Sequence, residues 1–433
     1  MPLRFVAYFI YDALLFLGGV LIFPWAGIRF LFQRDFRRHL LGRLGFFSSR
    51  KSSSGFSILL HGVSVGEVKA LKPLVVELQK SYPQATLILS SSTPTGIQMA
   101  QRIFAQHDVV PFPLDWRGAC LRFLRRVQPS LLILAELEIW PNFLRVAQKK
   151  GIPVGIVNGR ITQKSLAGYR RVQKWFPQFD RIALYCVQRE SYAQRFLSLG
   201  VPESSVVVTG NLKFDQEPVV AAEVENWAKR VGSQQAVVFG STHLPEERQL
   251  LAALSDVSLP GPTVFFVVPR HTHRAKTLWR ELKGQKLPKL LLRSSLPENP
   301  EPLPANAVVL VDSMGELGAL YAVASVAFVG GSLVPHGGQN VLEPSACAVP
   351  VVVGRYTENF QEEVDLLRKA GGLKDAKDAA SVLGLMATWL ENPRSAKDCA
   401  LSCQQALLRC QGSSRRTVEA LQQANLLPSP FLP

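Results

Sequence analysis

Acidic residues are scarce in this sequence, and several familiar signatures of nucleotide-binding and metal-dependent proteins are missing. Only 33 aspartates and glutamates stand against 49 lysines and arginines, which gives a formal net charge of +16. This excess favours acidic partners such as phosphates, nucleic acid or an anionic membrane surface. The sequence has no G-x-G-x-x-G run, Walker lysine motif or Asp-x-Asp pair. These absences exclude a plain dinucleotide-binding domain and a P-loop enzyme, and they give no indication of metal-assisted chemistry.

Cysteine is also uncommon, with 6 residues in a chain of 433. The cysteines form no C-x-x-C pair and have no histidine at the spacing of a zinc site. Scattered cysteines of this kind are typical of reduced thiols in a cytosolic compartment. A hydrophobic fraction of 47% with a charged fraction of 19% indicates a folded chain. The length predicts two domains with additional segments.

The longest apolar stretch lies at the N-terminus, from Leu3 to Phe32. Asp12 interrupts it, and the uncharged run from Ala13 to Ile28 is slightly short for a straight bilayer span. Several arginines follow directly, and by the positive-inside rule they keep the downstream chain in the cytoplasm. The pattern fits a single-span anchor, a helix lying in the membrane interface, or a buried core helix. In the first two cases the protein works at the inner face of a membrane.

Strand and helix patterns alternate twice along the rest of the chain. Six short apolar segments separated by helical patterns lie between Phe56 and Val187, and a second alternation begins at Ala236. Such alternation predicts parallel, doubly wound sheets, in which ligands bind beyond the carboxyl ends of the strands. The loops that follow the strands are therefore the expected places for chemistry.

Two such loops open the first alternation. The loop HGVSVGE runs from His61 to Glu67, and Glu67 begins the next helix. Its carboxylate there either complements the helix dipole or faces the ligand crevice as a general base. The loop from Ser90 to Gly96 is rich in hydroxyl groups, which either bind an anion or cap the following helix, and capping is the favoured account.

A third loop, AELEIWPN, places Glu136 and Glu138 at the end of a very apolar strand. Carboxylates at such a position cost free energy unless they are paired or solvated, so a functional role is favoured. Alternation along a continuing strand directs these two side chains to opposite faces. At most one of them is then expected to face a given site.

The second alternation predicts four polar loops after strands, at residues 240–243, 269–274, 312–316 and 330–343. Lys213 precedes them, where the chain is expected to pass between domains, and it is either a solvated linker residue or a partner for negative charge. Arg270 is best placed for bidentate phosphate binding. His271 and His273 form a pair with no evident third metal ligand in the sequence nearby.

The last of these loops, VGGSLVPHGGQNVLEP, extends from Val329 to Pro344 and is the most informative run in the chain. Glycines let the backbone approach a ligand closely, and N–H groups at a helix start favour anions. Asn340 is a suitable N-cap, and Glu343 at the third helical position suits a ribose hydroxyl. Alone, the run fits either a ligand cradle or a turn. The convergence of four polar loops favours nucleotide binding.

Seven motifs occur in a fixed order along the chain: HGVSVGE, STPTG, E-x-E-x-W-P-N, GNLKFD, P-R-H, D-S-M-G-E-L and GGSLVPHGGQNVLEP. As a set they resemble the 3-deoxy-D-manno-octulosonic acid (Kdo) transferases of glycosyltransferase family 30, over nearly the whole chain. The resemblance implies the α/β GT-B fold, with two Rossmann-like domains facing a central crevice and an N-terminal membrane-anchor helix. It implies a membrane anchor at residues 1–33, an acceptor domain at 48–212, a CMP-sugar donor domain at 213–400, and a C-terminal helix and tail at 401–433.

The activity implied by this resemblance is transfer of Kdo from CMP-Kdo to the lipid A precursor, lipid IVA, in lipopolysaccharide core biosynthesis. The reaction is expected to be inverting, without a covalent intermediate, and to need no metal or other cofactor. The expected location is the cell inner membrane, with a single-pass or interfacial anchor and cytoplasmic catalytic domains. The donor, the lipid acceptor and the membrane are the expected partners, and nucleic acid is not.

Site residues follow from the same motifs, position by position. Glu67 resembles the catalytic base, and Glu136 and Lys213 resemble groups that stabilise the transition state. The implied contacts to CMP are Pro269, Arg270, Met314, Gly315, Glu316, Asn340, Val341, Leu342 and Glu343. Leu137 stands between the two glutamates where some relatives have threonine, which changes the surroundings of Glu136.

Two other hypotheses fit part of the sequence. A GT-B enzyme acting on a different nucleotide sugar, such as an epimerase or a different lipid glycosyltransferase, fits the domains, although an epimerase needs no apolar N-terminal segment. A membrane-tethered basic protein that binds nucleic acid fits the charge. Its arginines are dispersed, however, and no aromatic–basic stacking motif is present.

Overall fold

The structure is a computed structural model that describes residues 2–48, 55–215, 221–283 and 289–429. The chain divides into two compact units. The first unit comprises Met1–Asp215 and Gln411–Pro433, and the second comprises Gln216–Cys410. Each unit contains a parallel sheet of seven strands in its described residues. The expectation of two doubly wound α/β domains is therefore confirmed.

The strands, in chain order, are β1 (Ser57–His61), β2 (Thr86–Ser91), β3 (Asp108–Pro111), β4 (Leu131–Ala135), β5 (Val154–Gly159), β6 (Leu184–Val187), β7 (Val206–Val208), β8 (Gln235–Thr242), β9 (Thr263–Pro269), β10 (Leu290–Leu292), β11 (Val308–Leu310), β12 (Val326–Val329), β13 (Val351–Val353) and β14 (Leu373–Asp375). The first sheet has the order β3-β2-β1-β4-β5-β6-β7, and the second has the order β10-β11-β9-β8-β12-β13-β14. The chain crosses over in both sheets, as doubly wound folds do.

The helices, in chain order, are α1 (Pro2–Phe32), α2 (Arg34–Arg43), α3 (Val65–Ala70), α4 (Lys72–Ser81), α5 (Pro94–Ile103), α6 (Arg117–Val127), α7 (Pro141–Lys149), α8 (Gln163–Gln173), α9 (Glu190–Leu197), α10 (Ala221–Val231), α11 (Glu246–Ala253), α12 (His273–Leu282), α13 (Leu317–Ala322), α14 (Leu342–Ala346), α15 (Gln361–Lys369), α16 (Ala379–Glu391), α17 (Pro393–Cys410) and α18 (Ser413–Gln423).

The central strands of both sheets are buried on both faces. Every residue of β1, β4 and β9 is buried, and their side chains enter separate apolar clusters on the two sides of each sheet. Parallel sheets need helices on both faces, and this explains why the strands have continuous apolar runs instead of alternating patterns. Side chains that carry chemistry are consequently confined to the loops at the strand ends.

Local sequence explains where the structure departs from the predicted elements. The apolar pattern predicts one helix from Val68 to Lys80, but α3 and α4 are separate. Pro73 lies in the first turn of α4, and its ring would clash with a carbonyl of a continuous helix. The run from Ala322 to Val329 predicts one strand, whereas α13 ends at its first residue and β12 occupies only its last four. An apolar run that contains a single polar residue, Ser325, does not mark such a boundary.

The end of the chain returns to the first unit. The chain leaves this unit after Asp215 and re-enters it at Gln411, so that α18 packs its Leu421 side chain against the first sheet. Asp215 caps α18, because its carboxylate accepts N–H groups from Gly412 (2.8 Å), Ser413 (3.3 Å) and Ser414 (2.6 Å). Residues 401–433, which the sequence sets apart as one helix and tail, thus contain the end of α17 and the whole of α18.

Helix α1 is docked on the first unit through polar side chains near its start. Tyr8 Oη donates to Gln178 Oε1 at 3.0 Å, and Tyr11 Oη donates to Asp115 Oδ2 at 2.8 Å. Asp12 Oδ1 accepts from the side chain of Asn142 at 2.6 Å. The acidic residue that interrupts the apolar stretch is therefore part of the contact between α1 and the α/β unit.

The rest of α1 exposes its apolar side chains. The segment Val6–Phe32 is long and apolar enough to cross a membrane, and only 11% of its most apolar part is buried. Exposed side chains include Leu21 at 82% and Phe32 at 81%. Such a surface is compatible with a membrane anchor, by length and composition.

The cap on α18 predicts a measurable contribution to stability. Replacing Asp215 with alanine removes the acceptor for three backbone N–H groups at the start of α18. We expect the free energy of unfolding of the first unit to fall by about 1–2 kcal/mol. Urea denaturation followed by circular dichroism checks this value. Asp215→Asn keeps one acceptor oxygen and should lose less, whereas an unchanged midpoint in Asp215→Ala would show that the cap does not stabilise α18.

Candidate active site

Glu67 lies just inside α3, at the carboxyl end of β1, and its carboxylate is bound by its own loop. Val63 N–H donates to Oε2 at 2.8 Å, and the Ser64 hydroxyl donates to Oε1 at 2.8 Å. Ser64 also caps α3 by accepting the N–H of Glu67. Burial raises the pKa of Glu67 above its ordinary value, and the nearby charge of Glu136 adds to the rise. The carboxylate is thus oriented and more basic than a solvated glutamate.

Glu136 occupies a left-handed backbone conformation, with φ of 59°. Its N–H still donates to Val157 O of the neighbouring strand at 2.9 Å, although β4 ends one residue earlier, at Ala135. The side chain is 13% exposed and forms an ion pair with Arg160, at 2.7 Å between Nε and Oε2. A non-glycine residue with positive φ is strained and is often found at functional sites.

Glu138 completes a group of three glutamates. Trp140 Nε1 donates to its Oε2 at 2.8 Å. Burial raises the pKa of Glu138 to about 7, and the charges of Glu67 and Glu136 contribute to the rise. The expected alternation of Glu136 and Glu138 assumes a continuing strand, whereas β4 ends at Ala135. Strand geometry therefore does not set the directions of these two side chains.

Lys213 lies in the first unit, in the short 3-10 turn Leu212–Phe214 that follows β7. Asn211 Oδ1 accepts the N–H of Lys213 at 3.0 Å, and Asn158 Oδ1 accepts the N–H of Leu212 at 3.0 Å. These bonds fix the backbone that carries Lys213. All three residues with an expected catalytic role, Glu67, Glu136 and Lys213, thus follow strands of the first sheet.

In the second unit, Glu246 organises the glycine-rich loop. Its fully buried carboxylate accepts four backbone N–H groups: His243 (2.8 Å), Gly331 (2.7 Å), Ser332 (3.0 Å) and Leu333 (2.9 Å). Gly330 has to be glycine, because a Cβ there would lie 2.5 Å from Thr242 Cα. Sequence reasoning did not single out Glu246. Its position four residues after the end of the buried strand β8 was the available signal.

The two arginines of the P-R-H-T-H-R loop have different surroundings. Arg274 is paired with the buried Glu247 at 3.1 Å, which fixes its side chain. Arg270 is exposed, and its N–H donates to Thr242 O at 2.9 Å while Pro269 before it is the buried last residue of β9. Of the two guanidinium groups, Arg270 is therefore the one available to a ligand.

Four histidines from three segments of the chain gather near Arg270. His243 stacks on His336 with ring centroids 4.4 Å apart, and His271 lies 6.1 Å from His243 and 5.9 Å from His273. Burial and then the neighbouring His336 lower the pKa of His243 to about 4. The described residues contain no group of three histidine, cysteine or acidic side chains placed to hold a metal ion.

The remaining expected contacts lie on two further loops of the second unit. Met314 is 62% exposed, Gly315 has φ of 95°, and Glu316 accepts from Arg293 Nε at 2.8 Å. In the glycine-rich loop, Asn340 Nδ2 donates to Glu343 Oε1 at 2.9 Å.

Helix α14 starts later than predicted. Val341 is its N-cap and Leu342 its first residue, so Glu343 is at the second helical position and not the third. Asn340 nevertheless accepts the N–H of Leu342 through its side chain, at 3.1 Å. The asparagine acts as a local cap because the Asn340 side chain folds back over the turn before the helix.

The two units offer different chemistry. The first presents an oriented, partly buried carboxylate beside two others, which suits removal of a proton from a hydroxyl group. The second presents an exposed arginine and histidines at strand ends, which suit a phosphate.

Known proteins resemble this chain along most of its length. Residues 38–216 match the family model described as 3-deoxy-D-manno-octulosonic-acid transferase (kdotransferase). The 3-deoxy-D-manno-octulosonic acid transferase of Haemophilus influenzae is 31% identical, over 90% of this chain and 92% of its own. The protein of the same name from Bordetella pertussis is also 31% identical, over 84% of this chain and 86% of its own.

Solved structures share the fold at low sequence identity. UDP-GlcNAc 2-epimerase from Neisseria meningitidis aligns with a TM-score of 0.56 and 14% identity, over 85% of this chain and 100% of its own. The glycotransferase of kitacinnamycin aligns with a TM-score of 0.52 and 15% identity, over 86% of this chain and 99% of its own. These likenesses confirm the GT-B fold. The two transferases of the preceding comparison, which have higher identity and similar length, establish the family. The chain belongs to the 3-deoxy-D-manno-octulosonic acid transferase family of glycosyltransferases.

Proposed function

We propose that this protein transfers Kdo from CMP-Kdo to the lipid A precursor, lipid IVA, in lipopolysaccharide core biosynthesis. The proposed reaction is a direct displacement with inversion at the anomeric carbon. The observation that carries the proposal is the Glu67 carboxylate, oriented by Val63 and Ser64 and made more basic by burial and by Glu136. A hydroxyl nucleophile needs such a base, and family membership supports Kdo as the transferred sugar.

Glu67 is the proposed general base. An ionised carboxylate has about four lone-pair positions, and the two donors on Glu67 leave two of them for the acceptor hydroxyl. The raised pKa of Glu67 lies closer to the working pH, which favours proton transfer in the transition state. As pH falls through this raised pKa, the base becomes protonated and transfer declines.

Glu136 and Lys213 are the proposed stabilising groups. Departure of a sugar from its leaving group builds positive charge on the ring, which the carboxylate of Glu136 offsets. The leaving phosphate carries negative charge, which the ammonium group of Lys213 offsets. Arg160 tethers Glu136 at 2.7 Å and thereby sets its orientation.

The second unit is proposed to bind the donor. Arg270 is the proposed ligand of the CMP phosphate, because Arg274 is already paired with Glu247. Glu343, held by Asn340, is the proposed acceptor for a ribose hydroxyl. The other proposed CMP contacts are Pro269, Met314, Gly315, Glu316, Val341 and Leu342. No metal ion takes part in this scheme.

The proposed place of action is the cytoplasmic side of the cell inner membrane. Helix α1 exposes a long apolar surface, and several arginines follow it in α2. Cationic side chains near such a helix attract anionic headgroups and the phosphates of a lipid acceptor.

A transfer assay tests the proposed function. The protein, CMP-Kdo and the lipid A precursor should yield an acid-labile Kdo-lipid whose anomeric configuration is opposite to that of the donor. Thin-layer chromatography and NMR of the product measure both. Turnover of a UDP-sugar without lipid would instead support an epimerase. Trapping of a glycosyl-enzyme adduct would contradict direct displacement.

Substitution of Glu343 tests the donor site separately. Glu343→Ala removes the proposed acceptor for a ribose hydroxyl, and we expect CMP to bind roughly tenfold more weakly, since one hydrogen bond to a charged group is lost. Isothermal titration with CMP measures this. Glu391→Ala, at the exposed end of α16, is the matched control. Equal CMP affinity in both variants would remove Glu343 from the donor site.

A further inference from the structure

A largely apolar cavity of about 540 Å³ lies in the first unit, where α1 and α8 approach each other. Its lining includes Tyr11 of α1, Ile139, Val172, Phe176 and Phe179. Cavities of this size and composition bind small apolar ligands or parts of larger ones.

The cavity adjoins the carboxylate cluster. Ile139 and Pro141 belong to its lining, and both lie in the loop that carries Glu138. Tyr169 of α8 also lines the cavity. Burial raises the pKa of Tyr169, and the negative charge of Glu138 raises it further. A molecule that occupies this cavity therefore lies next to the loop that carries Glu138, close to the proposed catalytic residues.

One polar group in the lining lacks a hydrogen-bond partner. Gln178 is only 4% exposed, and its Oε1 accepts from Tyr8 Oη at 3.0 Å. Its Nε2 atom is buried and has no partner among the described residues. A buried amide donor without a partner costs free energy, so it suits a ligand with a carbonyl or hydroxyl oxygen within an otherwise apolar body.

The surface around α8 is cationic. Lys164, Arg170, Arg171 and Lys174 are all exposed, and residues 159–179 contain no acidic side chain. This charge complements a phosphate-bearing ligand and repels a cationic one. An apolar ligand with anionic substituents matches both the cavity and its surroundings.

Apolar side chains continue from the cavity lining to the protein surface. Val172 lines the cavity and is 37% exposed, and Trp175, one turn further along, is 48% exposed. Leu14 follows Tyr11 by one turn of α1 and is 62% exposed. The lining is thereby continuous with the exposed apolar face of α1.

We propose that this cavity holds one acyl chain of the phosphorylated lipid acceptor, next to the carboxylates that activate its hydroxyl group. The inference rests on the proposed function, which supplies a lipid acceptor. The acyl chain occupies the space between α1 and α8. An oxygen of its linkage or of a substituent accepts a hydrogen bond from Gln178 Nε2. The acceptor's phosphate interacts with the basic residues of α8. Acyl-chain binding then orients the acceptor before the reaction.

Gly168 gives a direct test, because it lines the cavity and a Cβ at this position would meet nothing within 4 Å. In Gly168→Phe the ring fills part of the cavity without a backbone clash. We expect the KM for the acylated acceptor to rise about tenfold, since apolar burial of the chain is lost. The KM for CMP-Kdo should remain unchanged. The KM for the same acceptor after chemical removal of its acyl chains should also remain unchanged.

One variant serves as the control. Gly384→Phe makes the same substitution at an exposed helical glycine of α16, where a Cβ also meets nothing within 4 Å. Equal KM values for the acylated acceptor in Gly168→Phe and Gly384→Phe would overturn the proposal.

The test separates this inference from the proposed function. Absence of Kdo transfer by the unmodified protein would contradict the proposed function. In that case, equilibrium binding of the acylated acceptor to the unmodified protein and to Gly168→Phe still decides the inference. Weaker binding to Gly168→Phe supports an acyl-chain site, and equal binding overturns it.

Discussion

Buried carboxylates at strand–helix junctions need hydrogen-bond donors, and the number of donors distinguishes the structural carboxylates of this protein from the proposed catalytic one. Glu246 accepts four backbone N–H groups, which uses the capacity of an ionised carboxylate and fixes the glycine-rich loop. Asp115 accepts from Tyr11 and from two N–H groups at the start of α7. Among the described residues, Glu67 accepts from two donors, one of them a serine hydroxyl. It therefore keeps the capacity to receive a proton.

Alternating strand and helix patterns were sufficient to predict two parallel sheets, because the central strands are continuous apolar runs. The ordered motifs located the loops, and Glu67, Glu136 and Lys213 do follow strands of one sheet. The orientation of Glu138 was not predictable from the pattern, since it depends on the left-handed backbone of Glu136. Contacts between residues distant in sequence, such as Asp215 with Gly412, leave no local periodicity either.

The docking of α1 connects the apolar N-terminal segment to the proposed acceptor site. Tyr8 and Tyr11 hold the start of the helix on the α/β unit, and the cavity lies beside these contacts. The exposed apolar face of α1, the cationic surface of α8 and the carboxylate cluster thus belong to one unit. A lipid acceptor has apolar chains, phosphates and a reactive hydroxyl group, and this unit provides a complementary feature for each. The second unit carries the features that suit a nucleotide.

The central claim is that the Glu67 carboxylate removes the proton from the acceptor hydroxyl. The most direct measurement is the single-turnover rate of Glu67→Gln with CMP-Kdo and the lipid A precursor, both at saturating concentration. Glutamine keeps the shape and accepts from Val63 N–H, but it does not act as a base. The account predicts a rate lower by a factor on the order of 10²–10⁴, with the affinities for both substrates retained. A rate close to that of the unmodified protein would contradict it.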